Sequence, residues 1–153
     1  MKRLLAAALL LAVVPGARSM AQTTSDIEVE RAQLATERKA IVAANLPMSE
    51  QESTAFWPVY EQYRNTMREV GDRRVKLIKD YAAAYQNLTD DQAKKLLKES
   101  QEIGKKELDV KEDYVGKFSK VLPPKKVARF YQIESKLDAT VAYGLAREIP
   151  LAK

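Results

Sequence analysis

One apolar stripe constrains this chain more than any other feature. Phe56, Tyr60, Tyr63, Met67, Val70, Leu77, Tyr81 and Ala84 recur at alternating steps of four and three, and Arg74 fills the one charged position in the series. That period keeps side chains on one face of an α-helix and does not fit a strand. Trp57, Ile78 and Tyr85 fall beside the stripe and widen it beyond the seam a single partner helix would need. A helix of this kind must pack against several others or present an apolar surface.

Two helix starts follow from their cap signals. Ser49 and Glu52 form a capping-box pattern, so the long helix is expected to begin at Glu50 and run to about Gln86. Pro58 lies inside it, where a kink is expected. Leu88-Thr89-Asp90-Asp91-Gln92 repeats the cap, with Thr89 and Gln92 in the paired positions and two acids complementing the positive helix end. The third helix runs from there to about Val121. Its apolar stripe is narrow (Leu96, Ile103, Val110, Tyr114, Phe118, Val121), and the remainder is dense in charge, with opposite-sign pairs four apart at Lys95/Glu99, Lys98/Glu102, Glu102/Lys106 and Glu107/Lys111.

Leu122-Pro123-Pro124 closes that helix. A fourth, carrying Val127, Phe130, Ile133, Leu137, Val141 and Leu145, is expected to stop before Pro150. Upstream, Ser25 and Glu28 open a first helix to about Ala44, with Ile27, Leu34, Ile41 and Val42 on one side. Its thin face must dock on the others to persist. The fold class is therefore all-α: four helices, two of them long, in an elongated bent hairpin or bundle. Thin cores in so elongated a chain favour a homodimer.

The N-terminus carries a different message. Lys2 and Arg3 precede the apolar run from Leu4 to Val14, followed by Pro15, Gly16 and Ser19-Met20-Ala21. This reads as a secretory signal over residues 1–21, cleaved before Gln22, with a single domain over 22–153. The run is shorter than the roughly 20 residues that span a bilayer, so no stable membrane insertion is expected. Removing Lys2, Arg3 and Arg18 lowers the formal net charge from +5 to +2. Export and this weak charge argue against a nucleic-acid partner.

Cysteine and histidine are both absent. Disulfides cannot contribute, and the commonest transition-metal ligand and general base are missing. No phosphate loop, nucleophile elbow or zinc-ligand spacing appears. Capping accounts for Asp90 and Asp91 without catalysis. No catalytic residue, cofactor or metal site is expected, and the chain does not read as an enzyme.

The stretch Leu88-Thr89-Asp90-Asp91-Gln92 resembles the LTxxQ motif of the Spy/CpxP-like periplasmic proteins, small exported α-helical chaperones and stress-response modulators. The signal, the size and the lack of cysteine agree with this. Leu122-Pro123-Pro124-Lys125-Lys126 sits at the next inter-helix corner, with Pro123 in place of the threonine and Lys126 in place of the glutamine. The resemblance implies a periplasmic, ATP-independent holdase, dimeric and curved, that binds partly unfolded envelope proteins through mixed apolar and basic contacts. The candidate client-binding residues are then Trp57, Arg64, Arg68, Arg73, Arg74, Ile78 and Tyr85, while Leu88, Thr89 and Gln92 form the structural corner. The alternative is a dedicated interaction or sensor subunit that binds one specific envelope partner. A metal sensor would have only oxygen ligands and rare methionine to work with.

Overall fold

The computed structural model describes residues 36–152. The secretory-signal reading, the Ser25/Glu28 cap, Ile27 and Leu34 lie outside the described residues. Helix α1 is described over 36–45, followed by α2 (Glu50–Ala84), a 3-10 turn (Tyr85–Asn87), α3 (Asp90–Ser119) and α4 (Pro124–Glu148). No strand occurs among the described residues, and the class is all-α with two long helices. At 1.5 Å per residue, α2 and α3 span about 52 and 45 Å.

Both long helices start as the cap signals predict. The backbone N–H of Glu52 donates to Ser49 Oγ (3.2 Å), and the N–H of Ser49 donates to Glu52 Oε2 (2.7 Å). At the next corner the Gln92 N–H donates to Thr89 Oγ1 (3.3 Å), and the Thr89 N–H donates to Gln92 Oε1 (3.0 Å). Each box satisfies two backbone donors that a helix start would otherwise leave open. Pro58 is accommodated inside an unbroken α2. The expected end at Gln86 is replaced by tightening into the 3-10 turn at Tyr85, and α3 ends two residues before Val121. Pro123 caps α4 without a side-chain hydrogen bond, and Pro124 takes the first helical position, where its missing N–H costs nothing.

Cross-helix contacts give the topology. Tyr63 meets Tyr114 and Arg73 meets Glu99, so α2 and α3 form an antiparallel hairpin. Glu52 meets Lys126, Phe56 meets Phe130 and Tyr81 meets Pro150, so α4 runs parallel to α2. Helix α1 lies antiparallel to α4, with Arg38 at Glu134 and Asn45 at Arg129.

The core sits at the end of this bundle where α1, the start of α2, the end of α3 and the start of α4 converge. Phe56, Tyr60, Tyr63, Phe118 and Phe130 are at most 2% exposed, together with Val42 and Leu46 of the α1 segment. The rings interlock: Phe118 and Phe130 have centroids 4.5 Å apart, and Phe56 meets Phe130 edge-on at 5.4 Å. Such pairs add about 0.5–1.5 kcal/mol each beyond the area they bury.

Candidate functional site

The seven residues read as one wide face in the sequence separate into three settings. Trp57 belongs to the rim of the aromatic core. Its ring stands edge-on to Phe56 (5.1 Å) and Tyr60 (5.3 Å), its Nε1 donates to Ser53 Oγ (3.0 Å), and Lys39 Nζ lies 5.2 Å from the ring. Ile78 lies on the order of 30 Å further along α2. It and Tyr85 are half-buried, and Tyr85 packs its ring at 5.8 Å from Tyr81.

The arginines are mostly committed to ion pairs rather than displayed around an apolar patch. Arg73 grips Glu99 with two hydrogen bonds of 3.0 and 3.1 Å and reaches Glu102 at 3.4 Å. Arg74 donates to Glu107 at 2.6 Å and Arg64 to Glu134 at 3.2 Å. Arg68 is exposed and donates to Asn65. Glu99 is therefore turned toward α2 and not toward Lys95, as spacing within α3 had suggested. The Lys98/Glu102 and Glu107/Lys111 pairs do form, at 3.7 and 2.7 Å. Leu88 is half-buried at the corner that Thr89 and Gln92 cap.

At mid-bundle a charged junction ties all four helices together. Glu134 is 1% exposed, and its Oε2 accepts from Arg38 (2.8 Å) and Arg64 (3.2 Å). Arg38 also donates to Asp138 (2.9 Å), Lys111 links Asp138 (2.9 Å) to Glu107 (2.7 Å), and Glu107 receives Arg74. Four cations thus meet three carboxylates. Burial raises the carboxyl pKa values of Asp138 and Glu107. Their hydrogen bonds from Lys111, with Arg38 on one side and Arg74 on the other, outweigh it and hold both below the ordinary carboxylate range. For Lys111 and Arg38, burial opposes the charge and the facing carboxylates reverse that, raising both.

Burial and the neighbouring Glu134 push Tyr60 and Tyr131 up to about 12, and Tyr63 is raised too. Glu134 Oε1 and the hydroxyls of Tyr60 and Tyr63 are buried without a protein hydrogen-bond partner, an arrangement that favours orientation over net stability. Sequence reasoning placed Ile133 on the α4 stripe, yet Ile133 is half-buried and Glu134 takes the inner position. The available signal was a carboxylate one turn after Phe130, opposite a stripe that Arg74 had already interrupted.

Past Val70 in α2, before Ile103 in α3 and after Glu134 in α4, no side chain among the described residues is buried. Of the apolar residues there, Leu77, Ile78, Tyr81, Tyr85, Leu96 and Leu145 are half-buried, while Leu97 and Tyr143 are exposed. At this distal end Tyr81 Oη donates to the Pro150 carbonyl (2.9 Å). Among the described residues no acidic cluster is arranged to hold a metal ion, and no helix is long and apolar enough to cross a membrane. Set against known proteins, the chain matches no family model, no curated protein and no solved structure, so the likeness to the LTxxQ proteins rests on its corner residues alone.

Proposed function

We propose that this protein is an exported, ATP-independent holdase that captures partly unfolded envelope proteins at its distal end. The observation that carries this reading is the run of half-covered apolar side chains from Ile78 to Leu96, set on helices that the aromatic core holds in place. An apolar surface that remains partly wet without collapsing suits transient, sequence-tolerant contact with exposed chain segments. Tyrosine contributes here through an apolar ring and a polar tip. Because Arg64, Arg73 and Arg74 are held in ion pairs, capture depends mainly on apolar contact and persists at raised salt.

The test is suppression of aggregation of two unrelated denatured proteins by the purified protein, without nucleotide, at low and high salt. Slowing of both at both salt concentrations is the expected result. A well-folded sample that slows neither overturns the reading, and stable capture of one envelope protein alone would replace it with a dedicated interaction or sensor subunit.

A further inference from the structure

Past its last helical turn, the chain after α4 does not leave the bundle at once. Pro150 cannot continue a helix and turns the residue before it away from the helical region; Ile149 is extended, with φ −90° and ψ 114°. Val141, Leu145 and Ile149 follow one another at steps of four, and all three are half-buried. The inner line of α4 thus continues one residue beyond the helix itself. The next group is held as well: the Pro150 carbonyl accepts from Tyr81 Oη at 2.9 Å, beside Tyr85, whose ring lies 5.8 Å from that of Tyr81. Leu151 then points into solvent, 90% exposed.

The capture surface therefore already carries a short piece of extended chain. Its grip uses one half-covered apolar side chain and one main-chain carbonyl, the acceptor that every residue of a polypeptide offers. Tyrosine suits this task, since its ring covers apolar groups while its hydroxyl reaches a polar one. Nothing in the contact reads a sequence. An unfolded segment laid across α2 in the same way makes the same two contacts, so it and the tail compete for Tyr81. The grip is also slight: the hydrogen bond is exposed, Pro150 has no N–H to donate in return, and Ile149 is covered only by half. Contacts of this kind open locally without unfolding the rest of a protein.

We propose that Ile149 and Pro150 form a built-in competitor for the capture surface, so that a client binds extended, with a main-chain carbonyl on Tyr81 Oη, once the tail has lifted. This rests on the holdase reading and adds to it a client conformation and an intramolecular brake. The brake lowers the apparent affinity by the fraction of molecules in which the tail is lifted.

NMR of the protein titrated with reduced, carboxymethylated lactalbumin, a permanently unfolded chain, tests it. The Ile149 methyl signals are expected to shift in Tyr81→Phe and, in the unaltered protein, to move the same way as the signals of Tyr81 and Tyr85 report binding. Capture is expected to tighten by roughly three- to tenfold in Ile149→Ser, with helix content retained, as befits the loss of one exposed hydrogen bond and one half-covered side chain. Tyr81→Phe should weaken capture in the Ile149→Ser background and weaken it less in the unaltered sequence, where the tail gives up the same bond. Binding that leaves the Ile149 signals in place, capture that does not tighten in Ile149→Ser, or an equal Tyr81→Phe effect in both backgrounds overturns the competitor and leaves the holdase reading standing. No binding at Tyr81 and Tyr85 in either background overturns both.

Discussion

The two ends of this bundle use similar residue types to opposite effect. At one end Phe56, Tyr60, Phe118 and Phe130 are sealed by four converging helices. At the other, Tyr81, Tyr85, Leu77 and Leu145 lie on helices of the same kind and remain half in water. The difference is the number of neighbours. Residues 38–46 cover only the aromatic end, closing it with Val42 of α1 and Leu46 just after it, and nothing equivalent among the described residues caps the far end. An apolar stripe thus becomes core or surface according to what is laid on it, and Val70 and Ile103, the last buried residues of α2 and the first of α3, mark where one regime gives way to the other.

The sharpest break of this contrast is at the junction and the core beside it. Glu134→Ala leaves Arg38 buried without its closest anion and is expected to cost about 3–5 kcal/mol in chemical denaturation. The double variant Arg38→Met/Glu134→Leu should recover most of that loss, because an apolar pair needs no charge compensation. Phe130→Ala, a cavity at the centre of the ring cluster, is expected to cost about 3–5 kcal/mol; a loss below about 1 kcal/mol would erase the distinction between the two ends.

Acid should act on the same region with a smaller effect. Asp138 and Glu107 have folded-state pKa values below their ordinary values of 3.8 and 4.5. Between the ordinary and folded values the unfolded chain binds more protons, so their contribution is full above about pH 5 and is lost as pH falls through the folded values. A Tm profile that is flat from pH 6 to pH 3 would contradict this.

Effects diminish further toward the distal end. Thr89→Ala removes a cap and should cost about 1 kcal/mol. Ile78→Ser should change stability by less than about 1 kcal/mol yet markedly weaken aggregation suppression. A large stability loss with unchanged capture would show that this end is packed like the other.

Much of the fold was legible because it depends on local chemistry. The two capping boxes set the starts of α2 and α3, and the four-three period set the inner face of α2 from Phe56 to Val70. Less legible was what depends on partners distant in sequence. Nothing local to Arg64, Arg73 or Arg74 says that each meets a carboxylate from α3 or α4, and the pairs four apart in α3 suggested rival partners for Glu99 and Glu102. The rotation of α4 that buries Glu134 in preference to Ile133 follows from Arg38 and Arg64, which periodicity within α4 does not register. The split between Trp57 and the Ile78/Tyr85 pair was hidden for the same reason: their place on one helical face says nothing of where the covering helices end.

The corner at Thr89 also governs the order of events when the chain folds. Phe118 meets Phe56 only after α2 and α3 have doubled back, so the ring cluster closes a loop that contains the entire weakly packed end. Closing so long a loop in a flexible chain carries an entropic cost, which the box between Thr89 and Gln92 lessens by fixing the turn early. The first structure is therefore expected at the end that is loosest in the finished molecule. A damaged cap at this corner should slow refolding more than it hastens unfolding, whereas losses in the ring cluster should shorten the lifetime of the native state.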